Sequence, residues 1–198
     1  MNLAAMCILA LPPTAGSSVP IAGPLPPAPV EARAGYSFML RFGSQSMSDS
    51  TAWEGIDQPI ALGLDFASHG TRSQFGPEYG LGIAGDGTTV AGIDVSSFFV
   101  ELYGGARYTW DVGEAARFHP YLGAGLAYIF ASVDGAGLVS DDDSSLGGYV
   151  HGGAFYRLGD SFCLGIDARV VGGTSASLFG VETDLDYFEL ALTLGWGR

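Results

Sequence analysis

Residues 187–196 read Tyr-Phe-Glu-Leu-Ala-Leu-Thr-Leu-Gly-Trp. Phe188, Leu190, Leu192, Leu194 and Trp196 take every second position, and Tyr187, Glu189, Ala191, Thr193 and Gly195 fill the gaps. Successive side chains of a strand point to opposite faces, so this period of two describes a β-strand with one apolar and one mixed face. Working back along the chain, the design recurs over residues 162–171, 146–157, 121–130, 98–110, 78–84, 60–67 and 36–43. Across these eight segments the first face carries no charge, amide or aliphatic hydroxyl. The mixed face holds Arg41, Asp65, Glu78, Glu101, Arg107, His151, Arg157, Asp167, Arg169 and Glu189. No helical period competes from Gly35 onward. The expectation is an all-β fold, an eight-stranded antiparallel up-and-down barrel.

Alternation alone leaves open which face points inward. A soluble lipocalin-like binder buries the apolar face; a transmembrane barrel turns it to lipid. The mixed face is rich in Gly and Ala and lacks Lys, which suits a narrow lumen better than a water-exposed exterior. If strands run alternately up and down, Tyr36, Phe66, Tyr79, Trp110, Tyr156, Phe162 and Trp196 fall at one level, as a membrane-interface girdle does. The connections around 44–58, 85–96, 132–145 and 172–186 read as long loops on the far side, with shorter turns on the near side. That is the outer-membrane pattern. The fold is therefore expected to be a transmembrane β-barrel.

Composition agrees. The 198 residues include 31 Gly, only 15% are charged, and eight Arg without Lys against 21 acids give a formal charge of −13. Such a chain has no basic stripe to displace counterions from a phosphate backbone, which argues against a nucleic-acid partner. No apolar run approaches the ~18–20 residues of a spanning helix. Leu3 to Leu11 form a short apolar run followed by Pro12 and Pro13, which fits a signal peptide, with cleavage after Ala15 or Ala34. Residues 12–30 read as a Pro-rich spacer. The expected division is a leader and linker over 1–34 and a barrel over 35–198. With Cys7 in the leader, Cys163 stands alone, so no intrachain disulfide forms, and Cys163 is expected to be a small buried filler.

The stretches Phe118-His119-Pro120-Tyr121-Leu122-Gly123-Ala124-Gly125-Leu126-Ala127-Tyr128 and Arg157-Leu158-Gly159-Asp160-Ser161-Phe162-Cys163-Leu164-Gly165-Ile166-Asp167 resemble small bacterial outer-membrane barrels. The resemblance is to the barrel domains of OmpA-like and OmpW-like porin-family proteins and covers about residues 35–198. It implies a Gram-negative outer membrane with both termini periplasmic. The implied partners are outer-membrane lipid, lipopolysaccharide and the barrel-assembly machinery. Its motifs mark architecture, not an activity.

The charges separate by compartment. The four far-side connections hold twelve acids, among them Asp49, Asp94, Asp134 and Asp186, and no Arg. The lumen set comes within one charge of balance, as a dry interior requires, because an unpaired buried charge is very costly. These Arg–carboxylate pairs, with Tyr103, Tyr121, Tyr149, Phe155 and Tyr187, are expected to plug the lumen. The alternative is a narrow channel for ions or small hydrophobic compounds. Asp141, Asp142 and Asp143 offer oxygen ligands for a divalent cation, without the EF-hand spacing. Trp53 and Phe179 fall at loop tips, either as contacts for a partner or packed within the loops. His69, His119 and His151 form no recognisable nucleophile–base set, so neither an enzyme nor a cofactor is expected; a lipid-modifying enzyme is the rival. The expected role is structural or surface-interactive, with an unidentified surface ligand.

Overall fold

The computed structural model describes residues 35–69, 74–90, 92–110, 117–135 and 139–197. The signal peptide, its cleavage sites and the Pro-rich spacer lie outside the described residues. Ten strands follow in order: β1 (Gly35–Met47), β2 (Ile60–His69), β3 (Phe75–Val90), β4 (Ile93–Thr109), β5 (Phe118–Gly135), β6 (Val139–Leu158), β7 (Phe162–Gly172), β8 (Ser175–Leu178), β9 (Val181–Asp184) and β10 (Tyr187–Gly197). Eight close a barrel in the order β1-β10-β7-β6-β5-β4-β3-β2, and β8 and β9 form a separate hairpin. All barrel neighbours are antiparallel, and β1 closes on β10 with Ser37 opposite Gly197. Both ends of the described barrel therefore lie at one rim, here called the termini end; the opposite rim is the loop end.

Closure fixes the geometry. Following paired residues round the wall from Ser37 leads through Ala67, Glu78, Gly105, Gly125, Tyr149, Val171 and Tyr187 to Met47. The walk starts at Ser37 and returns to the same strand at Met47, a stagger of 10 residues. Ten residues at ~3.3 Å over eight strands at ~4.8 Å tilt the strands by roughly 40° from the axis, within the range of outer-membrane barrels.

Polarity is inverted relative to a soluble barrel. Leu102, Leu164 and Leu192 are 53%, 48% and 61% exposed, whereas Glu101, Asp167 and Glu189 on the same three strands are 4% or less. The outward side chains form an apolar belt; the inward ones include Arg, Asp, Glu, His and Tyr. The inward glycines make room for this cargo. A Cβ on Gly105 would strike the Ala124 carbonyl and stand 2.5 Å from the Tyr149 hydroxyl, and one on Gly153 would stand 2.6 Å from the Tyr121 hydroxyl.

The loop end departs from the sequence reading. Residues 85–96 and 132–145 are not long loops: β3 and β4 stay paired out to Val90 and Ile93, and β5 and β6 out to Gly135 and Val139. Asp86, Asp94, Asp134 and Asp141 to Asp143 therefore sit on strands. Backbone pairing satisfies every N–H and C=O whatever the side chains are, and beyond the bilayer nothing enforces an apolar face.

Candidate functional site

Strand alternation on all eight barrel strands aims ionisable side chains at the axis, where they meet in two groups. Nearer the termini end, Glu78 of β3 is the hub. Arg107 Nε lies 2.6 Å from its carboxylate, and the Tyr149 hydroxyl donates to it at 2.7 Å. His151 stands between two acids, with Nε2 3.0 Å from Glu78 and Nδ1 2.8 Å from Asp167. With both carboxylates ionised, the two contacts are simultaneous hydrogen bonds only when both ring nitrogens carry a proton. The Tyr121 hydroxyl donates to Asp167 at 2.7 Å, and its ring lies under the Arg107 guanidinium at 4.3 Å.

Nearer the loop end, Arg41 and Arg169 share three carboxylates. Arg41 Nε lies 2.9 Å from Glu189, with Asp65 at 3.6 Å and Glu101 at 3.7 Å from its other nitrogens. Arg169, wholly buried, lies 3.1 Å from Glu101 and 4.0 Å from Asp65. Its guanidinium stacks over Tyr103 at 3.9 Å and Tyr149 at 5.0 Å. Tyr103 donates to Asp65, and Gln45 donates to Glu189 at 3.2 Å. Gln45, just beyond the alternating segment's far end, was not anticipated; its signal is only its inward parity with Arg41. Aromatic faces and carboxylates together replace the hydration these cations lose.

Arg157 is a correction. It is half-buried near the β6–β7 turn, paired across the strands with Cys163, and joins neither group. Parity alone put it in the lumen; its position one residue from the end of β6 leaves it at the rim. Cys163 is buried, as a filler is. His119 is buried and stacked on Phe155, and Tyr187 is buried near Glu101 and Glu189.

Above the charges sits an apolar cap that the alternation did not reveal. The connection from β1 to β2 turns inward: Trp53 is 2% exposed, packs edge-on against Phe99 at 5.3 Å, and donates its indole N–H to the Asp184 carbonyl at 2.9 Å. Ile56 joins Trp53, and from the β7–β10 connection Ala176, Leu178 and Leu185 join Met47, Phe99, Ile129 and Tyr187 in one buried cluster. Of the two loop-tip aromatics, Trp53 thus packs inside, while Phe179 is half-exposed at the β8–β9 turn.

The three consecutive aspartates do not form a cation site. Neighbours on a strand point to opposite faces, so Asp142 diverges from Asp141 and Asp143. Asp141 instead accepts the Phe179 amide, and Asp143 accepts the amides of Ser177 at 2.7 Å and Ser144 at 2.8 Å. Among the described residues no group of three or more His, Cys, Asp or Glu is arranged to hold a metal ion.

These carboxylates anchor the hairpin, and their protonation should release it. The two amides hold Asp143 below the ordinary carboxylate range. Burial pushes Asp186 up, but the Thr174 amide and hydroxyl and the Gly173 amide outweigh it and hold Asp186 low. A depressed carboxyl contributes stability that is present above the unfolded-state pKa and lost as pH falls through the folded-state value. Backbone 15N relaxation is therefore expected to show an ordered hairpin at neutral pH. It should loosen on acidification below the ordinary carboxylate range, while β10 and β1 stay rigid.

The girdle residues Tyr36, Tyr79, Trp110, Tyr156 and Trp196 are exposed, and Phe66 and Phe162 are half-buried. Phe162, Trp196, Phe38, Phe66 and Tyr79 are cross-strand partners in one continuous row over five strands. Phe66 meets Tyr79 at 4.9 Å, and Tyr108 meets Trp110 at 4.7 Å.

The family model of the outer membrane protein beta-barrel domain matches residues 3–197. The chain belongs to this family. Among curated proteins, none matches it. Solved barrels of the same fold include Ail, the attachment invasion locus protein of Yersinia pestis, at 12% identity and TM-score 0.57, covering 84% of this chain and 99% of Ail. Neisserial surface protein A is 16% identical with TM-score 0.56, covering 82% and 96%. A major outer membrane protein from Thermus thermophilus is 15% identical with TM-score 0.57, covering 83% and 99%. At these identities the likeness concerns fold. The protein is a small bacterial outer-membrane β-barrel.

Proposed function

We propose that this outer-membrane barrel is a closed scaffold whose work is done at the loop end, in a structural or surface-interaction role, and not a conduit. The observation that carries the reading is the stacking of two barriers along one axis. Arg169, fully buried and flanked by Glu101, Asp65, Tyr103 and Tyr149, lies beneath the cap of Trp53, Leu178 and Leu185. An ion on the axis would have to break buried pairs and then cross an apolar layer without water, each step costing several kcal/mol. The near balance of charge, the inward tyrosines and the hairpin-anchored cap all support closure. On this reading the termini end faces the periplasm, because the loop end carries the larger connections and most of the acid. Outer-membrane lipid, lipopolysaccharide and the assembly machinery are then its surroundings, with no catalytic role. Attachment, the property for which Ail is named, is a use this architecture also suits.

Planar-bilayer recording of the purified, folded protein tests the reading. The expected result is a silent membrane at moderate voltage. Steady unitary conductance in the wild type contradicts closure and favours the narrow channel.

A further inference from the structure

Among the described residues, Phe179 is the single non-glycine with a backbone in the left-handed region, at φ 54°. Gly180 follows at φ 74°, and Leu178 pairs with Val181 across them, so the two form the tip of the β8–β9 hairpin in the manner of a type I′ turn. The first position of that turn favours Asn, Asp or Gly, and a bulky side chain there is strained. Nothing inside the fold compensates for that strain. Phe179 is 50% exposed, belongs to neither buried cluster and stacks on no aromatic ring of the described residues. Trp53, the other loop aromatic, is by contrast buried in the cap.

The tip is apolar and its setting is acidic. Val181 is 62% exposed, and Val139, 57% exposed, lies two residues from Asp141, whose carboxylate accepts the Phe179 amide. Asp142, Glu182 and Asp184 on the same two elements, β6 and β9, are exposed. Residues 44–60, 85–100, 131–148 and 172–188 contain no Lys or Arg. The tip also stands away from lipid. Leu146 is the last outward apolar residue of β6, and Asp141 lies five residues beyond it. At ~3.3 Å per residue and a tilt of roughly 40°, Phe179 is roughly 13 Å clear of the apolar belt. Phosphate-bearing headgroups would in any case be repelled by the surrounding carboxylates.

We propose that the Phe179 tip is a contact site for a soluble partner protein, which presents a segment of apolar side chains flanked by Lys or Arg. The proposal rests on the surface-interaction reading and adds to it the place of contact and the partner's chemistry. Apolar groups of the partner cover Phe179 and Val181, and its cations lie against Asp141 and Glu182. The support is rigid, because Asp141 and Asp143 fasten β8 to β6 through the Phe179 and Ser177 amides. An aromatic side chain held on such a support loses little freedom on binding.

Phe179→Asn tests the premise that the ring does not serve the fold. Asn suits the turn, so the full-length barrel in phosphatidylcholine vesicles is expected to melt at an unchanged temperature or about 2–4 °C higher. A lower melting temperature overturns the proposal. Binding is tested with a phage library of random short peptides, selected on the same vesicles after subtraction on empty ones. The expected result is enrichment of sequences that join Lys or Arg to Leu, Ile, Phe or Trp. Their affinity should fall about tenfold or more for Phe179→Asn, fall severalfold for Glu182→Lys, and weaken with added salt. No enrichment over empty vesicles, or selected peptides without basic residues, overturns the proposal. So do peptides that bind Phe179→Asn as tightly as the wild type, although these would leave the surface-interaction reading standing at another part of the loop end.

Discussion

Replacing Arg169 by Met should destabilise the barrel by about 3–5 kcal/mol in urea unfolding from lipid vesicles, the loss expected when one partner of a buried pair is removed. The side chain is fully buried and touches Glu101, Asp65 and two tyrosine rings. Met fills much of the volume but leaves Glu101 and Asp65 with Arg41 alone. The loss is therefore chiefly electrostatic, and a second substitution that removes a stranded acid should restore part of it. The double variant Arg169→Met, Glu101→Gln is expected to be more stable than Arg169→Met. A double-mutant cycle returning no coupling would show that the pair does not share its burial cost.

The second large effect separates two adjacent glycines. Gly105 points inward, where a Cβ would meet the Ala124 backbone and the Tyr149 hydroxyl; Gly104 points outward, with no atom nearer than 3.9 Å. Gly105→Val should cost about 3 kcal/mol or more, because the obstruction includes backbone and a tyrosine already committed to Glu78. Gly104→Val should be neutral or mildly stabilising, since it adds an apolar side chain to the lipid-facing belt and a better strand former to β4. Equal effects at the two sites would contradict the assignment of faces.

Much of this was legible in the sequence, and the reason is the bilayer. Where the wall crosses lipid, every outward residue must be apolar, so the strand containing Leu190, Leu192 and Leu194 declares its register without help from its neighbours. That register carries Glu189 inward, and the same parity assigns Asp65, Glu101, Arg107 and Asp167. Beyond the membrane the constraint ends, and legibility ends with it. The outer halves of β3 to β6 look like loops because Thr88, Ser96, Asp134 and Asp142 alternate with nothing. The cap is invisible for a related reason: Trp53, Ile56 and Leu185 are isolated apolar residues in polar surroundings, and only the folded connections show that they converge. The error at Arg157 arose because parity assigns a face but gives no depth along the axis. Asp141 to Asp143 looked like a ligand cluster because composition says nothing about which carboxylates are already taken by amides.

Nitroxide labels on single cysteines at positions 102, 164 and 192, in a Cys7→Ser, Cys163→Ala background in lipid bilayers, test the inverted polarity of the wall. All three labels are predicted to collide freely with molecular oxygen dissolved in the acyl region and to be shielded from a water-soluble nickel chelate. Labels accessible to the chelate, or immobilised and shielded from oxygen as in a packed interior, would contradict the account.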